Sequence, residues 1–148
     1  MAVARYLADQ SVWARVRQPA VRAALMPRVD RGLVGTCAII DLEILYSART
    51  GEEHDHFRGQ RNAFEYFPTT DEIAQRAVQV QGMLAHRGQH RSVSIPDLLV
   101  AATAERHSLI VLHYDADYDR ISSLTGQPVE WVVPRGSADH DPPGGSAR

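Results

Sequence analysis

The chain has 148 residues, of which 44% are apolar and 23% charged, with a formal net charge of −2 at pH 7. That is one domain's worth of polypeptide, able to bury roughly 70% of its unfolded surface without disulfides or a structural metal. The charge balance argues against a protein that grips nucleic acid by bulk positive charge, and no run approaches the roughly 18 apolar residues of a membrane span. Arg5 and Asp9 interrupt the first apolar stretch, so no signal-peptide core is expected there. Cys37 is the single cysteine and sits in a mostly apolar run, which predicts a buried core thiol. Without a disulfide framework the expected compartment is the reducing cytoplasm. All 16 basic residues are arginine, so any mechanism that depends on an active-site lysine is closed to this chain.

Short apolar runs alternate with longer helical patterns, which predicts βα units and a largely parallel sheet. A first strand is expected at 3–8, then a short helix capped by Ser11 and a second helix over 19–31 that opens on Pro19 and stops at Gly32. A second strand over 33–38 feeds a helix at about 40–49, and 52–63 reads as a polar, mostly exposed helix. A short strand at 65–67 is closed by Pro68. Thr70 or Asp71 caps the next helix, where Ile73, Ala77, Val80 and Leu84 follow a 3–4 spacing. A polar loop at 88–94 follows Arg87 and contains His90 and Arg91, and a helix begins near Pro96. The continuous apolar run 109–113 predicts a buried central strand. A helix around 118–124 and a last strand at 129–133 close the sheet. Residues 1–135 are thus expected to form one domain and 136–148, rich in Gly, Ser, Pro and Asp, a disordered tail.

The residues that carry chemistry are carboxylates. Asp9 directly follows the first strand, Glu43 lies in the helix after the second, Asp97 opens a helix, and Asp115 and Asp117 follow the central strand. In a parallel sheet all of them fall at the carboxyl edge, where ligands bind at a topological switch point. Each has a plain alternative: Asp9 as a helix cap or Asx turn, Asp97 as a charge at the positive end of its helix, Asp115 and Asp117 as turn formers. Glu43 is harder to dismiss, because Ile39, Ile40, Leu42, Ile44 and Leu45 surround it. Facing carboxylates repel unless neutralised, and a hard divalent cation such as Mg²⁺ or Mn²⁺ does this with oxygen ligands. Asp41 and Asp119 read as solvated faces or caps, and His54 and His56 as surface residues. His113 is expected near the cleft in a hydrogen-bonding role.

At this point the chain resembles the PIN-domain toxins of the VapC type. The segments that carry the resemblance are Tyr6-Leu7-Ala8-Asp9-Gln10-Ser11-Val12-Trp13, Ile40-Asp41-Leu42-Glu43-Ile44-Leu45, the run 95–104 around Pro96-Asp97, and the run 111–121 around Asp115-Ala116-Asp117. Together they span about residues 3–133. Gln10 departs from the small hydroxyl residue usual after the first aspartate, while Ser11 keeps the second hydroxyl position. The resemblance implies an α/β fold, a three-layer α/β/α sandwich on a mostly parallel five-stranded sheet. It also implies a homodimer and a Mg²⁺- or Mn²⁺-dependent endoribonuclease acting on structured RNA such as tRNA or rRNA. Asp9, Asp97 and Asp115 would then bind the ion, Glu43 would complete its shell, and Asp117 would support a second ion or orient water. An antitoxin protein is implied as partner, inserting a basic side chain into the acidic cleft. Receiver domains and dehalogenase-like phosphatases also place aspartates at such an edge, but they resemble sites with an essential lysine. A non-catalytic RNA-binding or interaction module on the same fold is the remaining alternative.

Overall fold

The computed structural model describes residues 3–140. Five strands, β1 (Tyr6–Ala8), β2 (Val34–Thr36), β3 (Glu65–Tyr66), β4 (Ile110–His113) and β5 (Val129–Trp131), form one parallel sheet in the order β3-β2-β1-β4-β5. The connections carry helices α1 (Gln10–Trp13), α2 (Pro19–Asp30), α3 (Ala38–Leu45), α4 (Gly51–Arg61), α5 (Asp71–Ala85), α6 (Ile95–Arg106) and α7 (Asp117–Thr125). The chain therefore runs outward from β1 to β3, then returns through α5 and α6 to lay β4 on the other side of β1. The β1–β4 boundary is the switch point of the sheet.

The two-residue period of the strands sorts their side chains into two cores. Leu7 of β1 and Val111 of β4 face one core with Ile40, Ile73, Leu84, Val100 and Ile121. Their neighbours Ala8 and Leu112 face the other with Val12, Val21 and Leu25. Helices α3, α5, α6 and α7 cover the first face, and α1 and α2 cover the second, which gives the expected three layers. In α5 the buried positions are Ile73, Ala77, Val80 and Leu84, as the spacing predicts. Cys37 is fully buried in the first core, and burial pushes its thiol up.

The strands are shorter than the apolar runs that encode them. Ala4 donates its N–H to the Glu65 carboxylate, and the pairing of β1 with β2 and β4 starts at Tyr6. The helix expected at 40–49 begins at Ala38 and ends at Leu45. Its continuation is broken because Thr50 starts α4, accepting from the Glu53 N–H at 3.0 Å, while Glu53 Oε1 accepts from the Arg49 N–H. Thr70 rather than Asp71 caps α5. Gly32, with φ of +71°, supplies the left-handed turn that ends α2.

Two expectations are corrected. Asp41 is not on a solvated face: its Oδ1 accepts from Arg61 Nε at 2.9 Å and from Thr36 Oγ1 at 2.7 Å. Arg61, only 5% exposed, also donates to Thr36 Oγ1 and lies over the rings of Trp13 and Phe64 at 4.7 and 4.4 Å. This cation joins α1, α3 and α4 to the end of β2. The second correction concerns the tail. Ala138 and Asp139, within the expected tail, are tied to the domain: Ala138 is buried, its N–H donates to the Tyr114 hydroxyl at 2.9 Å, and that hydroxyl donates to Asp139 Oδ1 at 2.6 Å. Residues 141–148 of the expected tail lie outside the described residues.

Removing one partner of a buried ion pair strands the other in a poor solvent, at a cost of about 3 kcal/mol. Arg61→Ala is expected to lower stability by roughly that amount in urea unfolding, and the Arg61→Ala, Asp41→Ala double variant to lose clearly less than the sum of the two single losses. Additive losses would show that the pair is not energetically coupled.

Candidate metal centre at the switch point

The carboxylates expected at the strand ends arrive there by three separate routes. Asp9 leaves β1 in extended conformation, donates its N–H to the Leu112 carbonyl of β4 at 2.9 Å, and caps α1 by accepting from the Ser11 N–H at 3.0 Å. Ser11 is therefore not the cap; its Oγ accepts from the Tyr114 N–H at 2.9 Å and ties α1 to the exit of β4. Asp97 sits in the first turn of α6, where its N–H donates to the capping hydroxyl of Ser94. Asp115 follows β4, and its Oδ1 accepts from the Asp117 N–H at 2.9 Å, shaping the turn into α7. The turn-forming role of Asp115 and a role in the cleft thus coexist.

Asp97, Asp115 and Asp117 each bring a carboxylate oxygen to within 4.8 Å of the others. Asp9 is not in that trio but is joined to it through Tyr118, whose hydroxyl lies 2.7 Å from Asp9 Oδ1 and 3.1 Å from Asp97 Oδ1. Glu43, half-buried on α3, stands apart from the trio and faces the same charges. Its carboxyl is pushed up by burial first, then by the nearby charges of Asp9 and Asp115. Asp117 is partly neutralised by Arg120 at 2.9 Å and accepts a hydrogen bond from the Ser94 N–H.

Asp97 is strongly perturbed. Burial, followed by the charges of Asp9 and Asp115, drives its carboxyl up to about 9, with Tyr118 pulling the other way. Its Oδ2 is buried and has no hydrogen-bond partner, and the same holds for Glu43 Oε1. Unpartnered buried carboxylate oxygens are costly. A donor set made only of carboxylate oxygens, two of them orphaned, fits a hard divalent cation of the Mg²⁺ or Mn²⁺ kind.

His113 behaves as the sequence suggests. It is fully buried at the end of β4, and its Nδ1 accepts from the Asp115 N–H at 3.1 Å, which puts the ring proton on Nε2. Burial lowers its pKa, so the ring is neutral. Asp119 is exposed and accepts from Trp131 Nε1. His54 and His56 lie on the exposed face of α4, and Arg87, His90 and Arg91 are exposed on or beside the loop ahead of α6. Tyr118 is the residue that sequence reasoning missed. An aromatic one helical turn beyond Asp115 reads as a core side chain, and only its hydroxyl distinguishes it from one.

Comparison with known proteins agrees with this geometry. Residues 6–124 match the PIN domain. Ribonuclease VapC21 of Mycobacterium tuberculosis is 49% identical over 135 residues, which cover 90% of this chain and 98% of that protein. Ribonuclease VapC51 of the same organism is 46% identical, covering 91% and 98% respectively. Among solved structures, DNA-bound VapBC from Salmonella typhimurium shares the fold at a TM-score of 0.71, with 17% identity over 88% of this chain and 99% of that one. The order of the sheet, the acidic switch point and these likenesses place the chain in the PIN-domain family, among the VapC ribonucleases.

Proposed function

We propose that this protein is a metal-dependent endoribonuclease that hydrolyses RNA phosphodiester bonds and is the toxic member of a toxin–antitoxin pair. The observation that carries the reading is the buried Asp97, whose Oδ2 has no partner and whose carboxylate lies within 4.8 Å of those of Asp115 and Asp117. The names of the similar proteins, ribonucleases all, support the substrate class. Asp97, Asp115 and Asp9 are the residues that would hold the cation, with Glu43 completing the shell and Asp117 supporting a second ion or a water. When bound, Mg²⁺ or Mn²⁺ supplies a more acidic water and charge neutralisation at the phosphate.

The side chains do the remaining work. Glu43 Oε1, with no partner of its own, would accept a hydrogen bond from a water in the cleft and so aim it. His113 fixes the backbone of Asp115 through Nδ1, and Ser11 fixes that of Tyr114. Neither Cys37 nor Ser11 is equipped as a covalent nucleophile: Cys37 is buried with a raised pKa, and the Ser11 hydroxyl is engaged as an acceptor from the Tyr114 N–H. Arg87, His90 and Arg91, exposed ahead of Asp97, would meet the RNA backbone of a tRNA or rRNA substrate. Leu42 and Tyr46 are 64% and 91% exposed on either side of Glu43, beside a shallow cleft of about 430 Å³ lined by Gln10, Leu42, Glu43 and Tyr46. That surface would receive an antitoxin whose arginine or lysine reaches the carboxylates. A homodimer in the cytoplasm completes the proposal.

The direct test is cleavage of total cellular RNA by the purified chain, free of any partner. Discrete fragments are expected with Mg²⁺ or Mn²⁺, and at least a 100-fold slower reaction with chelator or in Asp9→Ala or Asp97→Ala, roughly the loss expected when electrostatic stabilisation of the transition state is removed. Well-folded protein that binds neither metal nor yields fragments would return the case to a non-catalytic binding module.

A second prediction follows from Asp97. A carboxyl raised to about 9 is protonated at neutral pH in the metal-free protein, and a cation binds only its ionised form. Mn²⁺ binding near pH 7 is therefore expected to release about one proton, with affinity rising up to about tenfold per pH unit until pH 9. Calorimetry in buffers of different ionisation enthalpy measures this. Conversely, the metal-free fold should lose stability as pH rises from about 4 towards 9, because only the unfolded state ionises this group freely in that window. Binding without proton release, at an affinity flat in pH, would contradict the assignment of Asp97.

A further inference from the structure

We infer that Tyr118 is a positioning residue of the metal centre: its hydroxyl clamps Asp9 to Asp97 and so presents Asp97 Oδ2 to the cation. The inference rests on the metal-centre reading above and assigns a role to a residue outside the carboxylate set. Its grounds are geometric. Tyr118 is fully buried, and its ring lies against His113 with centroids 5.1 Å apart, so the phenol has one conformation available. Asp9 comes from the exit of β1, Asp97 from the first turn of α6, and Tyr118 from the first turn of α7. One hydroxyl thus joins three elements, and among the described residues no other side-chain hydrogen bond links Asp9 to Asp97.

The choice of atoms matters as much as the contact. The single phenolic proton is shared between Oδ1 of both aspartates, with the hydroxyl 2.7 Å from Asp9 and 3.1 Å from Asp97. Asp9 Oδ2 is held by the Ser11 N–H, so Asp9 is fixed at both oxygens. Asp97 is held at Oδ1 only, and Oδ2 is left buried and without a partner. Ionisation of Asp97 on cation binding sets two like charges side by side, and untethered they would turn apart. The shared phenol holds them together without occupying the oxygen that Asp97 has to offer. A phenylalanine would fill the same space in the core but leave this pair untethered.

Outer-shell hydrogen bonds to metal-binding carboxylates are typically worth about 10–100-fold in affinity. Tyr118→Phe is therefore expected to bind Mn²⁺ at least about tenfold more weakly by calorimetry at a fixed pH. In RNA cleavage kcat should fall at limiting Mn²⁺ and recover as Mn²⁺ is raised, with KM for RNA unchanged, a pattern that a general loss of folded protein would not give. A double-mutant cycle provides the second measurement. In an Asp9→Asn background the further effect of Tyr118→Phe on thermal unfolding of the metal-free protein should shrink, because the stronger of its two partners is already altered. Mn²⁺ affinity unchanged in Tyr118→Phe overturns the inference, and tighter binding overturns it too, since the hydroxyl would then be a competitor of the cation. Failure of the wild-type protein to bind Mn²⁺ would instead remove the metal centre itself, and is distinguished by that control.

Discussion

The constraint on which the rest of this structure depends is the repulsion among carboxylates gathered at one end of a parallel sheet. Asp97, Asp115 and Asp117 converge within 4.8 Å, Asp9 is joined to them through a phenol, and Glu43 lies within reach of their charge. No fold tolerates such a group unless the backbone leaves the side chains no way to separate. Here the backbone does so through its hydrogen bonds. The Asp9 N–H is spent on the Leu112 carbonyl, the Asp115 N–H on His113, the Asp117 N–H on Asp115 and the Asp97 N–H on Ser94. Each acidic side chain therefore starts from a Cα whose position is already fixed, and the strain falls on protonation state rather than on geometry. The raised carboxyls of Asp97 and Glu43 are the visible result.

The strand order explains why these residues meet at all. In the order β3-β2-β1-β4-β5, β1 and β4 are neighbours although about a hundred residues of chain separate them, and Ala8 pairs with Leu112. The connections that leave them run to opposite sides, which opens a crevice at their carboxyl ends. Helix α6 crosses beneath that crevice almost entirely buried, with Leu98, Val100, Ala101, Ala102 and Ala104 in the core. Its small residues let the sheet approach closely, and its first turn lifts Asp97 into the crevice. The buried Arg61 does comparable work on the β2 side, anchoring Asp41 and the start of α3, the helix that carries Glu43.

Much of this was legible in the residues, for identifiable reasons. The 3–4 spacing of α5, the apolar run of β4 and the glycine at 32 each encode a local preference that tertiary packing does not oppose. The acidic positions were legible because βα units put strand ends on one edge whatever the details. What escaped was decided by contacts distant in sequence. The break between α3 and α4 was expected at about 50, but α3 ends at Leu45, several residues earlier than its pattern suggests, and Thr50 and Glu53 form the capping box that opens α4. Asp41 looked like a surface charge because its partner Arg61 lies twenty residues on, at the end of a helix that is polar almost throughout. Tyr118 was hidden more deeply, since periodicity sees a ring and is blind to the one atom that matters.

The end of the described chain shows the same division between composition and structure. Residues 134–140 carry little apolar content, and by composition alone they belong to no core. Yet Arg15 of the α1 exit stacks on the Tyr114 ring at 4.5 Å while its Nε donates to the Ala138 carbonyl and its Nη1 to the Ser11 carbonyl. Gln18 donates to the same Ala138 carbonyl, and the Tyr114 hydroxyl is saturated by Ala138 and Asp139. A polar segment is thus held by a network in which nearly every member is satisfied, which is the condition under which such networks order a chain. Tyr114 is the residue between His113 and Asp115. Fixing its ring from outside and its N–H through Ser11 therefore steadies the backbone on both sides of it, including the residue that carries the Asp115 carboxylate.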